Sequence, residues 1–142
     1  MDPGINPNRV VKLNVGGTIF QTTQATQLSD QNSMLAKMFS TETNGRIPAI
    51  QDDSGAYFID RCPKYFGIIL NFLRGGVVEK GANVDLKFLR AEAAYFCIEG
   101  LVKVIDEEIG KTEKEASKSL NQNQFNQLYN VLNCIAVHTS QR

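Results

Sequence analysis

Residues 55–76 constrain this chain more than any other stretch, because they place a strand, a charged turn and a helix back to back. Tyr57, Phe58 and Ile59 are aromatic or β-branched, as a short strand requires. Asp60 and Arg61 end that apolar run. Pro63 follows, with the fixed φ of a first helical position, where its missing N–H is no loss. From Tyr65 to Leu73 only Gly67 and Asn71 interrupt the apolar residues. A surface helix carries one apolar stripe. This one is apolar nearly all round and is expected to be buried on several faces. Gly75-Gly76 stops it, since glycine takes the left-handed conformation at a helix end without strain.

The rest of the chain supplies partners for that unit. Val10-Val11-Lys12-Leu13-Asn14-Val15 and Thr18-Ile19-Phe20-Gln21-Thr22-Thr23 read as two strands. Gly16-Gly17 between them is a hairpin signal, both turn residues needing positive φ. As a phosphate cradle it would need a helix to follow, and Thr18 begins another strand instead. Residues 25–28 suit a short helix. Asn32 or Ser33 can cap a second over residues 34–40, whose Met34, Leu35, Met38 and Phe39 form one stripe suited to core packing. Residues 41–54 read as a loop in which Ile47 and Ile50 can form a short strand. Val77-Val78 suits a further small strand. Leu86, Leu89, Ala93 and Phe96 predict a helix over 84–96; Leu101, Val102, Ile105 and Ile109 predict another over 98–109. Polar residues 111–124 are expected as a linker or a frayed helix. Phe125, Leu128, Leu132 and Ile135 then predict a short amphipathic helix that can dock on a partner or on the domain.

Several functions are disfavoured by what the chain lacks. Fifteen Lys and Arg balance fifteen Asp and Glu, with no long basic run, which argues against nucleic acid as a partner. No apolar run approaches the length of a membrane span, and no N-terminal segment reads as a signal peptide. Cys62, Cys97 and Cys134 are far apart and His138 is the one histidine, so neither a metal site nor a disulfide framework is expected. Reduced thiols fit a cytoplasmic setting, or also a nuclear one. No nucleophile–base arrangement or nucleotide fingerprint is found, so no catalytic residue, cofactor or metal is expected. Asp52-Asp53 and Asp106-Glu107-Glu108 read as solvated surface. Asp60 beside Arg61 reads either as a weak local ion pair or as a contact with a neighbouring subunit.

Val11 to Phe20, followed by residues 55–74, resembles the BTB/POZ domain of the potassium-channel tetramerisation type, as in the KCTD proteins, and most of all their cullin-adaptor members. The likeness covers residues 9–109. Residues 1–8 precede it as a flexible lead-in, and 110–142 follow as linker and C-terminal helix. The resemblance implies an α/β (α+β) fold, a small mixed sheet with a cluster of helices. It implies homotetramers or homopentamers without an active site. It also implies an adaptor that binds a cullin scaffold and presents a protein substrate to a RING ubiquitin ligase, raising local substrate concentration. Carried over residue by residue, it places Asn14, Asp60 and Arg61 at the subunit contact. Tyr95, flanked by Thr41 and Ile47, falls at the cullin contact. The spacing independently expects Phe96 in the core and Tyr95 partly in solvent. The family's Asp-Arg-Asp-Pro motif has Cys62 in place of its second Asp, so the helix after it lacks a good cap. The alternatives are an oligomerising scaffold that regulates a channel or receptor without a cullin, and the tetramerisation module of a channel.

Overall fold

The computed structural model describes residues 6–39, 49–78 and 81–140, with side chains through Cys134. The chain runs β1 (Val10–Val15), β2 (Thr18–Thr23), α1 (Gln24–Gln27), α2 (Met34–Met38), β3 (Ile50–Gln51), β4 (Tyr57–Ile59), α3 (Pro63–Gly75), α4 (Leu86–Tyr95) and α5 (Glu99–Ser140). It forms two compact units, 1–105 and 106–142.

In the first unit the strands make one mixed sheet in the order β2-β1-β4-β3. β1 pairs antiparallel with β2, and Val15 faces Thr18 across a two-residue turn. Gly16 and Gly17 sit there at φ 56° and 98°, as the hairpin expectation required. β4 lies parallel to β1, with Asn14 opposite Phe58, and β3 lies antiparallel to β4. Alternation sends Val11, Leu13, Val15 and Ile59 to the buried face. α3 packs there, burying Tyr65, Phe66, Ile68, Ile69 and Leu70 over more than one stripe. The Phe66 ring meets Phe20 from the sheet at 5.1 Å and Phe96 from the end of α4 at 5.4 Å. Gly76 at φ 70° closes α3, its N–H bonded to the Phe72 carbonyl.

Local chemistry sets the helix ends. Ser33 caps α2 by accepting from the Ala36 N–H; Leu35 and Met38 of the expected stripe are in the core, while Met34 and Phe39 are half-buried. Asp85 caps α4 by accepting from Lys87 and Phe88. α4 ends in a Schellman motif: Cys97 N–H bonds to Ala94 O, and Ile98 N–H to Ala93 O. Cys97 occupies its left-handed position at φ 57°. Cys62 stands at the N-cap of α3 and makes no side-chain capping bond.

Two expectations differ. Val77 and Val78 form no strand, and Val77 is exposed. Residues 111–124 are helical, part of a single helix from Glu99 to Ser140. The absence of an apolar stripe suggested a linker or a frayed helix, and of the two the structure has helix, unbroken rather than frayed. The stretch nevertheless contains Lys, Glu, Ala, Gln and Leu, with no Pro or Gly after Lys111 up to Ser140, and that composition favours helix. The helix of 125–135 is therefore the continuation of α5 rather than a separate element. No helix among the described residues is long and apolar enough to cross a membrane.

Candidate functional site: the Arg61–Glu92–Tyr95 cluster and the outer sheet face

The two motifs prominent in the sequence meet in space. Gly16 N–H bonds to Ile59 O at 2.9 Å, which seats the β1–β2 turn against the end of β4. A Cβ on Gly16 would stand 2.5 Å from the Arg61 carbonyl oxygen and 3.2 Å from Pro63 Cδ. The glycine therefore answers both a positive φ and a close backbone approach.

That seat aims the Arg61 side chain at α4. Its Nε donates to Glu92 Oε2 at 3.2 Å, and a terminal nitrogen to Oε1 at 2.6 Å. This is a two-pronged ion pair, stronger and more directional than a single contact. Glu92 is 4% exposed, whereas the Arg61 side chain keeps 29% of its surface. The guanidinium carbon also lies 3.9 Å from the centre of the Tyr95 ring, within cation–π range. Behind Tyr95, the Phe96 ring meets it edge-on at 5.1 Å. Tyr95 is 43% exposed and Phe96 fully buried, as the helical count required. The result is an exposed aromatic fixed by a cation on its face and a core ring at its edge.

Asp60 is exposed and makes no pair with Arg61, whose fork is held by Glu92 within the chain. The local Asp60–Arg61 ion pair is thus replaced by one spanning 31 positions. Glu92 escaped the sequence reading. The available signal was a carboxylate inside the Leu89–Ala93–Phe96 stripe, which demands a partner when buried. Thr41 and Ile47 lie outside the described residues.

Asn14 sits elsewhere, on the outer sheet face. Registry places Ile19, Asn14, Phe58 and Ile50 in one row across all four strands. The three apolar members of that row are exposed. Asn14 accepts from the Gly17 N–H and donates to Asp52 Oδ2 at 3.0 Å. Asp52, read from the sequence as solvated surface, organises the turn that follows it. It accepts from Ser54 Oγ, Asn14 and the Ala56 and Ser54 amides, and these bonds hold its carboxyl down from 3.8 to about 2. Among the described residues no group of three or more His, Cys, Asp or Glu side chains is placed to hold a metal ion.

A small mixed sheet, a helix buried over more than one stripe and a Tyr95 ring held open to solvent define a domain of the α/β class. The chain belongs to the BTB/POZ domain family, whose model matches residues 11–105, and to its potassium-channel tetramerisation type. It is 34% identical over 124 residues to BTB/POZ domain-containing protein KCTD5 of Mus musculus, covering 87% of this chain and 50% of that protein. It is 36% identical over 124 residues to human KCTD17, covering 87% and 37%. It is also 43% identical over 98 residues, covering 68% and 29%, to human BTB/POZ domain-containing adapter for CUL3-mediated RhoA degradation protein 2. The chain spans half or less of the length of these relatives.

Proposed function

We propose that this chain is a cytoplasmic, homo-oligomeric substrate adaptor of a cullin-RING ubiquitin ligase, working through protein contacts alone. The observation that supports this reading most is Tyr95. It is a large amphipathic side chain, open to solvent, whose orientation is fixed before any partner arrives by Arg61 and Phe96. Little side-chain entropy remains to be lost on docking, which is what makes such residues interface hot spots. A relative named as an adapter for CUL3-mediated degradation lends the cullin as partner. The substrate is a protein, held by parts other than this anchor.

Self-association in this reading uses the outer sheet row. Ile19, Phe58 and Ile50 would supply apolar area, and Asn14, Asp60 and the open edge of Arg61 a polar rim. A ring of four or five copies gives multivalent presentation of substrate. Residues 9–109 would form the interaction domain, and 110–142 an accessory helical segment.

The test is capture on a purified cullin N-terminal domain, CUL3 first. Tyr95→Ala should weaken binding by about 2 kcal/mol, roughly thirtyfold, with an unchanged melting curve. Phe96→Ala should instead cost about 3 kcal/mol of stability, because it opens a cavity among core rings. Wild-type protein that shows no cullin binding refutes the reading and leaves a scaffold without a cullin.

A further inference from the structure

The second unit carries a feature that the adaptor reading does not use. Over residues 125–133, α5 is divided into two faces. Phe125, Leu128, Tyr129, Val131 and Leu132 form one face, and Asn126, Gln127, Asn130 and Asn133 the other. All five apolar side chains are more than half exposed, from 55% at Val131 to 63% at Phe125. Phe125 and Tyr129, one turn apart, stack at 6.5 Å and make the face continuous.

The polar side of this segment bears on what can cover the apolar side. No charged residue occurs between Lys118 and His138, although residues 106–118 are dense in both signs. A helix that lies on a lipid surface carries Lys and Arg on its polar face, and this one has none. A helix that selects a different protein commonly does so through flanking charges. A helix flanked only by amides meets no repulsion from an identical copy, and its amides can hydrogen-bond in either sense, as Gln122 does to Asn126 within one chain. The area is adequate as well. At about 200 Å² for an aromatic ring, with half or more of each side chain open, the face offers on the order of 500 Å² per copy, and two copies approach the roughly 1,000 Å² of a specific interface. Asparagine is also a weak helix former, so an Asn-rich segment of this kind draws its helicity from packing.

We propose that the Phe125–Leu132 face of α5 packs against the same face of other copies of this chain, forming a helical bundle that is a second self-association element. The inference extends the oligomer reading above, but its contact is separate from the sheet row. The apolar arc takes in positions beside the central seam as well as the seam itself, which suits more than two helices. Closed cyclic symmetry makes those helices run in the same sense.

Sedimentation velocity on the full chain tests this, with Leu128→Glu plus Leu132→Glu on the helix, Phe58→Asp on the sheet, and the two combined. Glutamate is itself a good helix former, so a fall in helicity by circular dichroism alongside dissociation would report the lost packing rather than a lower propensity. The helix variant should raise the concentration of half-dissociation at least about tenfold, the shift typical of losing an interface anchor. The combined variant should be monomeric. If Phe58→Asp changes nothing while the helix variant dissociates the protein, the sheet reading fails and this one stands. If the helix variant keeps the wild-type mass and dissociation concentration, the proposal is overturned. The same holds if it keeps that mass and the wild type pellets with phosphatidylcholine vesicles, since the face then serves a lipid surface.

Discussion

At the scale of single residues, the cluster is informative because Arg61 meets partners far away in sequence. Arg61 looks from its position like a free surface charge, but its fork belongs to Glu92. Charge reversal at Arg61 would therefore set two carboxylates against each other inside the fold and could not report cleanly on a subunit contact. Cys62 is simpler. Its backbone at φ −71°, ψ 118° already has N-cap geometry, yet its side chain caps nothing. Cys62→Asp should stabilise the first unit by about 1 kcal/mol in urea unfolding, and an unchanged or lower midpoint would remove the capping account. The Cys62 thiol is partly covered, whereas those of Cys97 and Cys134 are exposed. Asp52 makes a pH prediction. Hydrogen bonds from Ser54 and then Asn14 lower its folded-state pKa to about 2 from 3.8. A group depressed in this way contributes stability that is present above its unfolded pKa and lost as pH falls through the folded one. Acid unfolding should therefore have a component between pH 3.8 and about 2 that Asp52→Asn flattens. An identical acid limb in the variant would show that these bonds do not survive in solution.

At the scale of elements, turn and cap chemistry was largely legible. The Gly16-Gly17 turn, Pro63 at the start of α3 and the glycine stop at Gly76 all lie where the residue types required. The end of α4 was not legible. A Schellman motif places a residue in the left-handed region, where a Cβ is strained, and this chain has Cys97 there rather than glycine. Cys97→Gly should raise stability by about 1 kcal/mol without altering the Tyr95–Phe96 geometry, and thermal melts would show it. A loss of stability would mean that the thiol makes contacts outweighing the backbone strain. The continuity of α5 through 111–124 was missed for a different reason. Apolar periodicity marks the faces that helices bury, and a solvated stretch buries none, so only propensity remained as a signal.

At the scale of the whole molecule, the sheet row makes the sharpest claim. Phe58 is at its centre, opposite both Asn14 and Ile50. Phe58→Asp should reduce a light-scattering mass of four or five chains, provided that the sheet carries the ring, while leaving the melting curve close to wild type because the side chain is outside the core. A variant of unchanged mass would move the subunit contact off this face. The sequence alone determined the hairpin, the buried helix, the split between Tyr95 and Phe96, and the family. The first three rest on turn residues, caps or periodicity, which act over a few neighbouring positions, and the family rests on the likeness of Val11 to Phe20 and residues 55–74 to its motifs. Only the tertiary structure decided that Gly16 packs on the Arg61 carbonyl, that Arg61 reaches Glu92 and Tyr95, and that four strands align one exposed row. Those contacts depend on β1 pairing parallel to β4 and on where α4 comes to rest against α3. Packing of the whole core sets both, and no local spacing encodes either.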